Sequence, residues 1–512
     1  MKQKKNVLLI VVDQWRGDTL PNLGHHVQLP NVARLAAEGV TFAHHYTQAV
    51  PCGPGRASLL TGMYMMNHRA TQNTIPLDAR HTNVAWESRK AGYEPALVGY
   101  TTTTPDPRYT DHQDPRFRVL GGEMDGWKIV GSMGLKMESY FAWAAHRWAD
   151  MPETPEDMWL PRDASPDEIG ATASPSRVPA EFSDTSYFTE KALEYLRGTT
   201  HKPWFLHLGY WRPHPPFIAP EPWNSMYDPE DSPAPVRADS PEQEAAQHPL
   251  IDFYLNNVGR KNFFRHGEGL AKDMSINEVK QMRATYYGLM SEVDAQLGRI
   301  FDFLKETGQW DDTLIIFTSD HAEQLGDHHL LGKLGYHDQS YHIPMIVRDP
   351  RPEADASRGT IVREFTETID TVPTILEWMG VPVPRSCDGA SLLPFLPEGK
   401  RPDGWRTEVH YEFEFRDIFY STPEAHMGTG LDDSALTVIQ DHDYKYVHFT
   451  KAPPLFFDLK ADPGQFHNLA NDPAYQGIML TYAQKMLSWR MRYMERTLTA
   501  YTASPTGLLK RA

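Results

Sequence analysis

Cys52 heads the run Cys52-Gly53-Pro54-Gly55-Arg56, and Ala57-Ser58-Leu59-Leu60-Thr61-Gly62 follows directly. Pro54 suits the first position of a helix and Gly62 its C-terminal cap, which predicts a short helix over 56–61. Cys52 then precedes a helix N-terminus, where free N–H groups and the helix dipole favour an anion. Arg56, about one turn on, can clamp an oxygen of that anion or pair with a surface carboxylate. The plainer reading of Cys52 is a buried free cysteine. Asp13, Asp320 and His321 form a metal-ligand set. Both carboxylates end apolar runs that suit strands of one sheet, so they can converge on one ion. Mixed oxygen and nitrogen donors suit Mn²⁺ better than Ca²⁺, and Zn²⁺ is also compatible. The neutral Gln14 can add its carbonyl oxygen. Asp320-His321 alone reads equally as a helix cap with a surface histidine. His214 lies in Tyr210-Trp211-Arg212-Pro213-His214-Pro215-Pro216-Phe217, where three prolines fix the backbone. A ring held in that way can protonate a leaving oxygen, or be a structural histidine. Lys333, between Gly332 and Gly335, suits a cation for a substrate oxygen, or a solvated surface charge.

These residues need elements to position them. Val7 to Val12 is a β-branched-rich run ending at Asp13, as expected of a central parallel strand with a functional residue at its carboxyl end. Thr313 to Thr318, ending at Ser319-Asp320-His321, reads the same way. Upstream of it, Val279, Met282, Tyr286, Met290, Val293, Leu297, Ile300 and Leu304 recur at steps of three or four. Lys280, Arg283, Asp294, Asp302 and Lys305 fall between them. That pattern predicts a long amphipathic helix lying on the sheet. Helix followed by strand makes the fold class α/β, with a large mostly parallel sheet between helices. Met151 to Glu181 and Pro220 to Pro249 are rich in Pro, Asp, Glu and Ser and read as surface insertions, either lids, oligomer contacts or solvated loops. From about Arg401 the strands shorten and alternate, giving a small antiparallel C-terminal sheet and a terminal helix near Met479 to Arg496. The expected division is a catalytic domain over 1–400, a small α+β domain over 401–499 and a tail over 500–512. The tail has no core of its own, so it is either disordered or an arm on a neighbouring subunit.

A chain of 512 residues can bury a large core and more readily forms two unequal domains than one. Its two cysteines, Cys52 and Cys387, exclude a disulfide framework and fit a reducing compartment. The charged start Met1 to Lys5 with Val7 to Val12 imitates a signal peptide, but the apolar run is too short and lacks a cleavage site. No other stretch approaches a membrane span, so the expected location is cytoplasmic with no membrane partner. A formal net charge of -17 argues against nucleic acid as a partner. An acidic enzyme still binds an anion where a metal and an arginine concentrate positive charge.

On these residues the chain resembles the sulfatase branch of the alkaline phosphatase superfamily. The resemblance runs almost end to end. It takes in the strand ending at Asp13, the Cys52-x-Pro54-x-Arg56 core before Leu59-Leu60-Thr61-Gly62, Pro213-His214-x-Pro216-Phe217 and Thr318-Ser319-Asp320-His321. It continues through Asp388-Gly389-x-Ser391-Leu392-Leu393-Pro394 and Phe457-Asp458-Leu459-x-x-Asp462-Pro463, with Asn468-Leu469 following. The order and spacing of these pieces carry the specificity. The resemblance implies an alkaline phosphatase-like α/β sandwich. It also implies that a formylglycine-generating enzyme oxidises Cys52 to formylglycine. One hydroxyl of the hydrated aldehyde attacks a sulfate or phosphate ester, and the other loses its proton to expel the bound group.

Three departures from the arylsulfatase pattern are informative. Two adjacent aspartates become Asp13-Gln14, a late Asp-Asn becomes Asp320-His321, and Gly-Lys-x-His is replaced by Gly99-Tyr100-Thr101-Thr102. All three resemble the phosphonate monoester hydrolase and phosphodiesterase group. That resemblance assigns Asp13, Gln14, Asp320 and His321, with position 52, to one divalent metal. It assigns Asn73, Tyr100, Thr102, His214 and Lys333 to the substrate or leaving group, with Arg56 stabilising charge. Tyr and Thr in place of cations suit a singly charged, diester-like centre, although an aryl sulfate is also singly charged. Gly55 stands where relatives commonly carry Ser or Ala. The expected activity is hydrolysis of small anionic phosphonate monoesters and phosphodiesters, with promiscuity toward sulfate esters. The alternative is a dedicated arylsulfatase, and below it a phosphoryl transferase or a non-catalytic binding protein. A homo-oligomer, dimer or tetramer, is expected by the same resemblance, with the tail as its contact.

Overall fold

The structure, a computed structural model, describes residues 5–119, 121–134, 137–162, 170–199, 202–416 and 423–510. Met1 to Lys4, part of the first insertion and the last two tail residues lie outside them.

Eight strands form one mixed sheet. In chain order they are β1 (Asn6–Val12), β2 (Val40–Tyr46), β3 (Ala96–Val98), β4 (Lys128–Gly131), β5 (Phe205–Tyr210), β6 (Thr313–Thr318), β7 (Met345–Arg348) and β8 (Ile361–Glu367). Their spatial order is β4-β3-β5-β1-β6-β7-β2-β8. All neighbours run parallel except at β7, which is antiparallel to both β6 and β2. β1 and β6 are buried along their whole length, as expected of strands covered on both faces. The continuous run β3, β5, β1, β6 has one decisive consequence: four consecutive carboxyl ends emerge at one edge.

The long helix spans Ile276–Glu306 and opens on a capping box between Ser275 and Glu278. It is not the half-solvated helix that its pattern suggests. Arg283 and Asp294 are buried. Arg283 donates to Asp327 and to the Leu325 carbonyl, while Asp294 accepts from the backbone N–H groups of Asn31 and Val32. Each buried charge thus has partners that periodicity cannot show. The insertions also differ from plain surface loops. Met158, Trp159, Val178, Glu244 and His248 are all buried, and Val236 N donates to Asp327.

The helix bearing Cys52 covers Cys52–Thr61, starting four residues earlier than the sequence indicates. Pro54 still lies in the first turn, where a missing N–H leaves no bond unmade. Gly55 N closes that turn onto the Pro51 carbonyl. Gly62 ends the helix in the left-handed region at φ 71°.

Four antiparallel strands, β9 (Val409–Glu414), β10 (Ala435–Gln440), β11 (Tyr444–Phe449) and β12 (Leu455–Asp458), form the smaller sheet, in the order β12-β11-β10-β9. Buried Lys445 of β11 reaches Asp338 at 2.7 Å, tying this sheet to the larger body. The terminal helix covers Gln476–Tyr493 and stops where Met494 turns extended. The tail is neither featureless nor helical: β13 (Tyr501–Ser504) and β14 (Gly507–Lys510) make a two-stranded hairpin. Among the described residues no helix is long and apolar enough to cross a membrane.

Candidate active site

Each of the four adjacent strand ends delivers candidate residues. Tyr100 and Thr102 follow β3, His214 follows β5, Asp13 and Gln14 follow β1, and Asp320 and His321 follow β6. The Cys52 helix packs across this edge so closely that a side chain at Gly55 would meet the Asp320 carbonyl oxygen at 2.5 Å. The ligand atoms of Asp13, Cys52, Asp320 and His321 all lie within 4.8 Å of one another, and all four residues are buried. Asp320-His321 is therefore no surface cap.

Arg56 is the buried keystone of the group. Its Nη2 donates to Asp13 at 3.0 Å, its Nε to Asp320 at 2.8 Å and its Nη1 to the Tyr100 carbonyl at 2.7 Å. Its guanidinium also lies 4.3 Å from the Tyr100 ring centre. The carboxylates it pairs with are those of the site, not of the surface. Burial would push Asp13 up, but His214, Arg56, His321 and Lys333, all cationic at the low pH where Asp13 would take up a proton, hold it well below the usual carboxylate range. Burial drives Asp320 the other way, against the pull of Arg56. Within this coupled pair, Asp13 is the carboxylate held ionised.

Burial, followed by the charge of Asp13, pushes the Cys52 thiol up to about 12. At neutral pH the group is a protonated thiol, whereas cysteine nucleophiles act as thiolates. Its Sγ lies 3.1 Å from His321 Nε2. His321 Nδ1 donates to the Ala322 carbonyl, which leaves Nε2 as the lone-pair nitrogen facing the cluster. Burial lowers His321 to about 3, so the ring is neutral, as a metal ligand requires. Two carboxylates, a neutral imidazole and an adjoining amide oxygen fit one divalent ion, and a negatively charged pocket without an ion would be costly.

Lys333 is half-buried rather than fully solvated, and its Nζ donates to Gln14 Oε1 at 2.5 Å. Burial alone would lower its ammonium, but the carboxylates of Asp13, Asp320 and Glu323 raise it and keep it charged. His214 Nδ1 donates to the Pro215 carbonyl at 2.7 Å, which leaves Nε2 as the ring's free nitrogen. The Tyr100 hydroxyl donates to Asp13 at 2.5 Å, so in this state it serves a candidate ligand. Asn73 Oδ1 accepts from Gly53 N at 2.7 Å and fixes the first turn beside Cys52. Thr102 adopts φ 56°, packs its carbonyl toward Gly53, and has a buried Oγ1 with no partner among the described residues.

Two participants escape a reading of motifs. Glu323 accepts from Gln14 Nε2 and from Gly332 N. Arg212 donates to the carbonyls of His214 and Pro216 while pairing with Asp184. Their nearness in sequence to Asp320 and His214 is the only signal available. Two surface cavities, of about 550 and 490 Å³, lie elsewhere. The first is lined by residues such as Trp148 and Arg177, and the second by Trp405 and Trp489. Converging buried polar groups, rather than cavity size, mark the site.

Residues 5–381 match the family model described as Sulfatase. Residues 326–492 match that described as N-sulphoglucosamine sulphohydrolase, C-terminal. The chain is 57% identical to the multifunctional alkaline phosphatase superfamily protein PehA of Trinickia caryophylli, over 99% of each chain. The crystal structure of the phosphonate monoester hydrolase of Agrobacterium radiobacter superposes with a TM-score of 0.95 at 41% identity, covering 99% of this chain and 100% of that one. The phosphonate monoester hydrolase from Silicibacter pomeroyi superposes with a TM-score of 0.92 at 37% identity, over 99% of each.

Proposed function

This chain belongs to the sulfatase family and is an ester hydrolase, and on that premise we propose that it hydrolyses phosphonate monoesters and phosphodiesters, with sulfate esters as secondary substrates. The observation carrying this reading is the neutral wall beside Cys52. Arg56 is engaged by Asp13 and Asp320, which leaves Lys333, with N–H groups beyond the one it gives Gln14, as the cation for the substrate. Tyr100, Thr102 and Asn73, which line the site beside Asp13 and Gly53, are uncharged. Such a wall suits a singly charged centre carrying a second organic substituent. The names of the two structural relatives support the same class.

The family implies a metal ion and a formylglycine in place of Cys52. Formylglycine supplies a hydroxyl nucleophile where the buried thiol supplies none. A divalent ion, for which Mn²⁺ is proposed on Asp13, Gln14, Asp320 and His321, supplies charge stabilisation at non-bridging oxygens. The chain's own residues do the rest. Arg56 holds both carboxylates in register. Lys333 offers its ammonium to charge developing on a non-bridging oxygen. His214, with Nδ1 anchored, keeps Nε2 for the leaving oxygen; because burial lowers the ring to about 3, Nε2 is a lone-pair nitrogen at rest and must take up a proton before it can donate one there. Thr102 Oγ1 is a free donor for a substrate oxygen.

The scarcity of cysteines supports a cytoplasmic setting. Maturation calls for a formylglycine-generating enzyme as partner. A homo-oligomer, dimer or tetramer, is supported by the exposed apolar residues Leu480, Leu487 and Met491 on the terminal helix and by exposed Met494, Leu498, Leu508 and Leu509 after it in the chain.

Cys52→Ala is expected to abolish hydrolysis, and hydrazide labelling should find an aldehyde at position 52. A Cys52→Ala enzyme with the parent kcat/KM contradicts the reading.

A further inference from the structure

Gln14 is held at every polar atom. It sits in the left-handed region at φ 69°, a conformation few residues other than glycine adopt without support. Its N–H donates to Asp320 Oδ1 at 3.3 Å, and its carbonyl accepts from the Tyr286 hydroxyl at 2.7 Å. Its side-chain amide lies between two partners of opposite character. Nε2 donates to Glu323 Oε2, and Oε1 accepts from Lys333 Nζ.

An amide side chain has two nearly isosteric ends, so its partners decide which end faces where. A carboxylate only accepts and an ammonium only donates. Glu323 therefore draws the NH₂ to its own side, and the oxygen must face Lys333. Glu323 is itself immobilised: it is buried, and its Oε1 accepts from Gly332 N at 2.5 Å and from Leu325 N at 3.2 Å. The same carboxylate thus fixes both the Gln14 amide and the turn that carries Lys333.

We infer that Glu323 is a positioning residue that makes the neutral Gln14 a metal ligand by fixing its carbonyl oxygen toward the site. This inference rests on the metal reading above. Without the carboxylate, Lys333 is the one remaining side-chain partner of the amide among the described residues, and the amide is freer to turn its NH₂, a donor, toward a cation.

The test is Mn²⁺ binding to metal-free, full-length protein by titration calorimetry, with folding checked by thermal melts. Glu323→Gln keeps shape but lets residue 323 donate toward Gln14, so Mn²⁺ affinity should fall about 10- to 100-fold. Gln14→Glu alone sets two carboxylates against each other and should weaken binding or folding. The double variant Gln14→Glu/Glu323→Gln restores the pairing in reverse. The new amide at position 323 still accepts from Gly332 and Leu325 while donating to the new carboxylate at position 14, whose other oxygen then turns to the ion. Its affinity should return to about that of the parent, a rescue that a merely structural role for Glu323 does not provide. Unchanged affinity in Glu323→Gln, or a double variant that binds no better than the single variants, overturns the inference. Asp13→Ala separates the two levels: if it binds Mn²⁺ as the parent does, the metal reading fails, and the inference fails with it.

Discussion

At Cys52 the surroundings work against ordinary cysteine chemistry: burial and the Asp13 carboxylate favour the protonated thiol. A site that surrounds a poor nucleophile with two carboxylates, a neutral imidazole and a spoken-for arginine is built for something other than a thiolate. At His214, the anchored Nδ1 predicts a leaving-group signature. His214→Asn should lower kcat/KM for poor alkoxide leaving groups by about 10²–10⁴ and for nitrophenolate far less. Equal losses across leaving groups would contradict a proton-donating role. Asp13, Asp320 and His321 were legible because each ends a run of apolar residues, where buried polar atoms stand out. Glu323 was not: its partner Gln14 lies 309 positions away in sequence, and only the pairing of β1 with β6 brings them together.

Elements position these residues through buried charge as well as through strands. The His214 loop is tied by Arg212 to Asp184, at the N-terminus of helix Asp184–Arg197. Neighbouring Ser183 donates to Glu292 on the long helix at 2.5 Å. Burial, and then the charge of Asp184, push Glu292 from the usual 4.5 up to about 8. Between these values the folded protein keeps a proton that the unfolded chain releases, so the contribution of Glu292 to stability is full below about pH 4.5 and is lost as pH rises toward 8. Glu292→Gln removes that titration and should flatten the fall in melting temperature across this window. An unchanged slope would mean that Glu292 is ionised in the native state. The strands and the long helix were legible from apolar runs and periodicity. The buried state of Arg283 and Asp294 was not, because hydropathy cannot report a distant partner. The early start of the Cys52 helix was likewise hidden, because proline is tolerated anywhere in a first turn.

Across the whole molecule, the sheet edge concentrates chemistry at one place while the far C-terminal end presents apolar surface. Leu487 and Met491 are 60% and 67% exposed, and Leu508 of the following hairpin is 73% exposed. Glutamate at positions 487 and 491 should shift the sedimentation of the protein from oligomer to monomer. A parent chain that sediments as a monomer would contradict the proposed assembly. The sequence marked this tail as lacking a core but could not show its hairpin, because a short exposed hairpin leaves almost no apolar pattern. The substrate class, however, is the central matter, and it turns on the neutral wall of Tyr100, Thr102 and Asn73. The most direct measurement is kcat/KM for an aryl phosphonate monoester against an aryl sulfate on one Mn²⁺-loaded preparation. A phosphonate preference of orders of magnitude is the expected result. A sulfate preference would contradict it, leaving an arylsulfatase built in a diesterase-like pocket.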